Sequence, residues 1–215
     1  MKQIRRSLRR RPVVALCVVT AGSMSGVLVG SGPTEAFQLS GCYADTGRGS
    51  PLPFSVNGSN RYVQLSSGAA ASWNTSVGQN VLASTGGGQG LVIEAVNLGN
   101  ISLDGMFRQR NASVGVPPCP NGSYANAATA ITINTFYGDV YSDSRVRALV
   151  AHELGHPLGL GHFEDTVSSC GGNMRAIAIM HSSSSIRSGS GACAVTVPTV
   201  DDVAGVRPVS GGGGK

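Results

Sequence analysis

The segment that decides the fold is residues 152–162, which read HELGHPLGLGH. Residues four apart share one face of an α-helix, so His152 and His156 can direct both imidazoles at a single metal ion. Glycine adopts left-handed backbone conformations at little cost, and Gly159 therefore allows the chain to turn back and bring His162 to the same point. Three imidazoles with an open fourth position are typical of a catalytic zinc site, because a structural site fills all four positions.

Glu153 directly follows the first of these histidines and is expected beside the open position. A carboxylate placed there can take a proton from a zinc-bound water and later deliver it to a leaving amine. The pattern therefore predicts Glu153 as the catalytic base. Pro157 disfavours helical geometry at His156, so we expect a tolerated kink near the end of the helix.

The pattern His-Glu-x-x-His-x-x-Gly-x-x-His resembles the signature of the metzincin zinc metallopeptidases. The surrounding sequence is similar to the matrixin-like domains of secreted bacterial proteins, from about residue 62 to residue 209. The resemblance implies a zincin-type α+β fold with a twisted mixed sheet and two long helices. It also implies an active-site helix at the cleft and an irregular C-terminal subdomain with a Met-turn and a last helix.

The C-terminal part of that resemblance rests on two short segments. Ile179-Met180-His181 resembles the Met-turn, which implies that Met180 forms a hydrophobic floor beneath the zinc. Residues 198–206 are similar to the last helix of the family. Within them, Thr199 and Asp202 have the spacing of a capping box, which predicts that the helix begins here.

Hydrophobic spacing and turn residues predict the remaining elements. A strand is expected at 51–56, an amphipathic helix at 61–77, strands at 91–96 and 130–134, and a helix that begins at Ser142, Asp143 or Ser144. The stretch 99–126 is expected to be rich in loops, with one edge strand near 113–116.

The formal net charge of +5 is confined to the start of the chain. Six basic residues and one acidic residue precede residue 37, which leaves ten of each in residues 37–215. A basic start, an apolar run from Val13 to about Val29 and the small-x-small pattern 34–36 predict a secretory signal peptide cleaved after Ala36. An uncleaved N-terminal anchor is the alternative.

We therefore expect three regions: a signal peptide at 1–36, a catalytic domain at 37–209 and a flexible tail at 210–215. The upper part of the catalytic domain would extend to about residue 159, and the lower part would be 160–209. The low charged fraction of 13% argues against a disordered chain.

Four cysteines follow the signal peptide, and in an exported protein they predict two disulfides. We favour Cys42–Cys119 and Cys170–Cys193, because each closes within one half of the chain. Residues 39–42 also resemble a bacterial lipoprotein box, so lipidation of Cys42 is an alternative.

The predicted function is that of a secreted, extracellular zinc endopeptidase that cleaves polypeptide substrates as a monomer. We expect no nucleic-acid binding, and no stable membrane association after cleavage of the signal peptide. A non-catalytic exported zinc-binding domain that captures peptides or a partner is the alternative function. Calcium binding stays open, since no loop has the spacing of a dedicated calcium motif. Candidate calcium ligands are Asp104, Asp139, Asp143, Glu164 and Asp165.

Overall fold

The computed structural model describes residues 40–44, 50–87, 90–111, 117–119, 122–124, 128–162, 178–182 and 195–206. All of them belong to one compact unit, residues 34–215. Several predictions lie outside the described residues: the signal peptide, the 113–116 strand, the Cys170–Cys193 pair, Glu164, Asp165 and the 210–215 tail.

The centre of the fold is a five-stranded mixed sheet. The described residues form seven strands in all, which are, in chain order, β1 (Tyr43–Ala44), β2 (Leu52–Asn57), β3 (Leu82–Ser84), β4 (Leu91–Val96), β5 (Gly105–Gln109), β6 (Ser123–Tyr124) and β7 (Thr129–Asn134). The sheet order is β3-β2-β4-β7-β5, while β1 and β6 form a separate parallel pair. Strands β3, β2, β4 and β7 are parallel, and β5 runs antiparallel to β7 at the edge.

Four helices accompany the sheet among the described residues: α1 (Asn60–Val77), α2 (Thr135–Gly138), α3 (Asp143–Gly155) and α4 (Val200–Gly205). In α1 the buried Tyr62, Leu65, Ala69 and Trp73 recur at helical spacing, and this apolar stripe explains why the segment is a helix. The helix ends at Gly78, which takes the left-handed φ of 71°.

The two long helices pack against each other beside the sheet. The indole Nε1 of Trp73 in α1 donates a buried hydrogen bond of 2.8 Å to the Ala151 carbonyl of α3. Helix α1 contacts β2 and β3, whereas α3 contacts β5 and β7. Helix α3 therefore lies toward the β5 edge of the sheet.

The coarse fold class, a mixed sheet with a few helices, is confirmed. The predicted elements at 51–56, 61–77, 91–96, 130–134 and after Ser142 are all present, and α4 begins with the predicted capping box at Thr199. None of the described helices is long and apolar enough to cross a membrane.

The expectation of a loop-rich stretch at 99–126 was wrong in part, because it contains β5 and β6. All five residues of β5 are half-buried, so the strand lacks the alternation of buried and exposed residues that marks a strand in sequence. Strand β6 has two residues, which is too short to show any period.

The chain that leads into β5 is held by the buried side chain of Asn134. Its amide oxygen accepts hydrogen bonds from the Leu98 and Phe136 backbone N–H groups, at 3.0 and 3.1 Å. Its amide nitrogen donates to the carbonyls of Gly99 and Leu103, at 2.9 and 3.0 Å. The last residue of β7 thus fixes the loop that delivers the first residue of β5.

Candidate metal centre

Helix α3 positions two of the three predicted histidine ligands. It begins at the N-cap Ser142, whose hydroxyl accepts a hydrogen bond from the Arg145 N–H. Ten residues later His152 is buried, and His156 follows one turn on and is half-buried. Their ring centroids lie 5.1 Å apart, as the shared helix face requires.

The turn toward His162 is closed by a Schellman motif. The N–H of Leu160 donates to the Gly155 carbonyl and that of Gly159 to the His156 carbonyl, both at 3.0 Å. Gly159 has the predicted positive φ, at 103°. His156 keeps helical angles despite Pro157, with φ −61° and ψ −51°, so the proline does not move this ligand out of the helical path.

The three histidines converge on one point. Their candidate ligand atoms all lie within 4.8 Å of one another. The Nε2 atoms of His152 and His162 are 3.3 Å apart. Two nitrogens bound to a tetrahedral zinc ion at 2.0–2.1 Å would be separated by about 3.3 Å. Among the described residues, this is the group of histidine, cysteine and acidic side chains that could hold a metal ion.

Two backbone carbonyls orient these rings from outside. The Nδ1 atom of His152 lies 2.8 Å from the Ile179 carbonyl oxygen, and Nδ1 of His156 lies 2.9 Å from the Leu160 oxygen. A carbonyl only accepts, so each Nδ1 carries the proton and each Nε2 presents a lone pair to the centre. Converging lone pairs fit a cation, and imidazole nitrogens suit zinc, copper, iron or nickel.

Glu153 lies beside the three histidines. Its side chain is buried, and Oε2 is 4.0 Å from Nε2 of His156. The other carboxylate oxygen faces Gly105, the first residue of β5, where an added Cβ would come within 3.0 Å of Oε1. The carboxylate therefore lies between the candidate ligand nitrogens and strand β5.

Met180 is almost fully buried at 1% exposure and packs against α3. A Cβ added to Gly155 would lie 2.1 Å from the sulfur of Met180, so the glycine permits this close approach. The same segment contains Ile179, whose carbonyl orients His152. The described geometry thus brings the 178–182 segment against the helix that carries the ligands.

The 178–182 segment is in turn held by Asp202 of α4. The carboxylate accepts hydrogen bonds from the N–H groups of Ile179 and Met180, at 2.9 and 3.2 Å. It also accepts from the N–H and hydroxyl of Thr199, at 2.7 and 2.8 Å. Burial raises the pKa of the Asp202 carboxyl, and these hydrogen bonds act in the opposite direction because they favour the ionised form.

The predicted Cys42–Cys119 disulfide is present. Lipidation of Cys42 is thereby contradicted, because a thioether-linked lipid would need the same sulfur atom. Of the candidate calcium ligands, Asp139 accepts a hydrogen bond from the Tyr62 hydroxyl and Asp143 pairs with Arg61. Calcium binding stays a prediction.

Several residues around the site were not anticipated from the sequence. Gly105 approaches Glu153, and Phe107 of β5 stacks on the His156 ring with centroids 6.1 Å apart. Residues 40–44 contact the turn between His156 and His162. No local sequence pattern marks these contacts, because each joins segments distant along the chain.

Comparisons with known proteins find no matching family model and no matching curated protein. Among solved structures, the chain is similar to a chain of the "GM1 bound form of the ECX AB5 holotoxin". The sequence identity is 15%, the match covers 78% of this chain and 83% of that chain, and the TM-score is 0.46. A similarity at this level carries no argument about function, which therefore rests on the geometry of the site.

Proposed function

We propose that the chain is an exported zinc endopeptidase of the metzincin type, similar to matrixin-like domains. The observation that carries the proposal is the convergence of three histidine nitrogens with the Glu153 carboxylate beside them. In two of the rings Nδ1 faces a backbone carbonyl, so in its neutral form each ring presents the Nε2 lone pair that a metal ligand needs.

Zinc bound by His152, His156 and His162 would supply a Lewis acid that polarises a peptide carbonyl and lowers the pKa of a water molecule. Glu153 then acts as the base. One of its carboxylate oxygens takes a proton from the attacking water, and the same oxygen delivers it to the nitrogen of the leaving amine. The burial of Glu153 holds this carboxylate at one position relative to His156.

The substrate is proposed to bind as an extended peptide along β5. This strand is one of the two edge strands of the five-stranded sheet, and an extended peptide can pair with an edge strand by backbone hydrogen bonds. Its first residue, Gly105, adjoins Glu153, and a peptide along the strand would therefore pass the base. Unfolded or exposed polypeptide fits this mode, since a folded segment cannot extend along an edge.

Export is proposed from the predicted signal peptide and is supported by the disulfide. Structural disulfides persist in oxidising compartments and are rare in the cytosol. Mass spectrometry of the mature N-terminus tests this part: a protein that begins at Phe37 supports it, and an intact residue 1 contradicts it.

The direct test of function is peptide cleavage by the exported protein, with casein and a fluorogenic peptide as substrates. We expect cleavage that stops when a zinc chelator is added and returns when zinc is restored. Cleavage that resists the chelator would contradict a metal-dependent mechanism. Protein that is loaded with zinc but cleaves neither substrate would favour the non-catalytic binding domain.

A further inference from the structure

The segment Ser40–Ala44, which we call the N-terminal strap, is bound to the turn between the second and third histidines. The Ser40 N–H donates to the Gly159 carbonyl at 3.0 Å, and the Ala44 N–H donates to the Pro157 carbonyl at 2.7 Å. The Ser40 hydroxyl also lies 3.2 Å from the Gly159 oxygen. The strap therefore contacts the chain at two of the five residues that lie between His156 and His162.

Two further features anchor the strap itself. Strand β1, its last two residues, pairs in parallel with β6 in the register Tyr43↔Ser123 and Ala44↔Tyr124. The Cys42–Cys119 disulfide ties the centre of the strap to the chain just before β6. The strap is thus attached covalently to Cys119 and is hydrogen-bonded to the turn between His156 and His162.

A line of aromatic rings connects the same anchor to His156. Tyr124 of β6 is buried and meets Phe107 edge to face, with centroids 5.1 Å apart at 74°. Phe107 in turn stacks on the His156 ring at 6.1 Å and 26°. The pairing of Tyr124 with Ala44 in the β1–β6 ladder closes the connection back to the strap.

His162 directly follows the turn that the strap holds at Pro157 and Gly159. It is exposed and lies beyond the Schellman motif, outside any helix or strand. His156 is half-buried and is restrained on one face by Phe107. A histidine held in place by packing and outer hydrogen bonds binds a metal more tightly, because less conformational freedom is lost on binding.

We propose that the disulfide-anchored strap and Phe107 are positioning elements of the metal centre, which set the affinity of the His156–His162 half of the site. This inference rests on the proposed zinc site. It assigns to the Cys42–Cys119 disulfide a role in metal binding, in addition to its effect on the stability of the fold.

The test is zinc affinity, measured on the full chain by competition with a chromophoric chelator. The variant Cys42→Ser/Cys119→Ser removes the covalent anchor of the strap, and Phe107→Leu removes the ring that stacks on His156. We expect each to weaken zinc binding by about 10-fold to 100-fold, the range found for residues that orient metal ligands. The visible spectrum of the cobalt-substituted variants should change, since it reports the ligand geometry.

Leu82→Ala is the matched control, because Leu82 is fully buried in β3 at the opposite edge of the sheet from β5. It should lower the melting temperature yet leave zinc affinity and the cobalt spectrum unchanged. If the cysteine variant does not fold, Phe107→Leu decides the question.

The outcomes separate this inference from the proposed function. Wild-type protein that binds no zinc would overturn the proposed metal site itself. Wild-type protein that binds zinc, with variants that bind it equally tightly, would overturn the positioning role and leave the metal site intact.

Discussion

The candidate metal centre joins two regions of different kinds. On one side, helix α3 carries His152, Glu153 and His156 at positions set by the helical period. On the other side, the 157–162 turn and the 178–182 segment lie outside the helices and strands, and hydrogen bonds with distant residues hold them. The first region is specified by local chain geometry, whereas the second depends on the whole fold.

The largest expected effect tests the helical side. Glu153→Gln keeps the shape of the side chain but removes the base, so we expect the turnover number to fall by about 100-fold to 10,000-fold. Zinc content should be unchanged, because the three ligands remain. Glu94→Gln is the control, since that carboxylate pairs with Arg108 and should not alter turnover. Full activity in Glu153→Gln would contradict the mechanism.

The next prediction compares a ligand from each side. His152→Ala and His162→Ala should each weaken zinc binding by more than about 100-fold, which is the upper end of the effect of residues that only orient a ligand. The zinc content that each variant retains after dialysis measures this loss. Their stabilities without metal should differ. His152 is buried and bonded to the Ile179 carbonyl, so its loss should cost about 1–3 kcal/mol of unfolding free energy.

His162 is exposed, and its replacement should change that free energy by less than about 0.5 kcal/mol. Chemical denaturation of the zinc-free proteins measures both values. Equal losses of stability in the two variants would contradict the proposed difference between the helical and the irregular side.

The third prediction concerns the anchor of the irregular side. Asp202→Asn would point an amide N–H₂ at backbone donors that now bind a carboxylate, and should lower the free energy of unfolding by about 3 kcal/mol. Asp201→Asn is the matched control. Asp201 is the adjacent residue, and among the described contacts its carboxylate accepts none of the hydrogen bonds that Asp202 accepts. Similar denaturation midpoints for the two variants would refute the anchoring role.

The last prediction is a change in the sign of a substitution's effect, at the contact between the two regions. Alanine normally stabilises a helix relative to glycine by about 0.5–1 kcal/mol. At Gly155 the new Cβ would collide with the sulfur of Met180, so Gly155→Ala should destabilise the protein by about 1–3 kcal/mol.

Gly68 in α1 is the matched position for this comparison. Its added Cβ would meet only the flexible Arg147 side chain, at 3.3 Å, so Gly68→Ala should show the usual stabilisation. Thermal unfolding of both variants checks the contrast. Stabilisation by Gly155→Ala would mean that Met180 does not pack against α3 as described.

Prediction from sequence succeeded where neighbouring residues carry the information. The i, i+4 histidines, the left-handed glycine at 159 and the Thr199–Asp202 capping box are patterns of at most a few residues. It failed for β5, whose residues are uniformly half-buried, and therefore also for Gly105 and Phe107, which β5 brings to Glu153 and His156.

Local sequence was enough to predict that α3 would present two imidazoles and a carboxylate close together, and that the chain could then reverse toward a third imidazole. Helical and capping preferences act between residues a few positions apart, so a short stretch of sequence reveals them. The segments that hold this arrangement in place became apparent only in the folded structure. Ser40 and Gly159 are 119 positions apart, and their contact exists only after the sheet and the disulfide have brought them together.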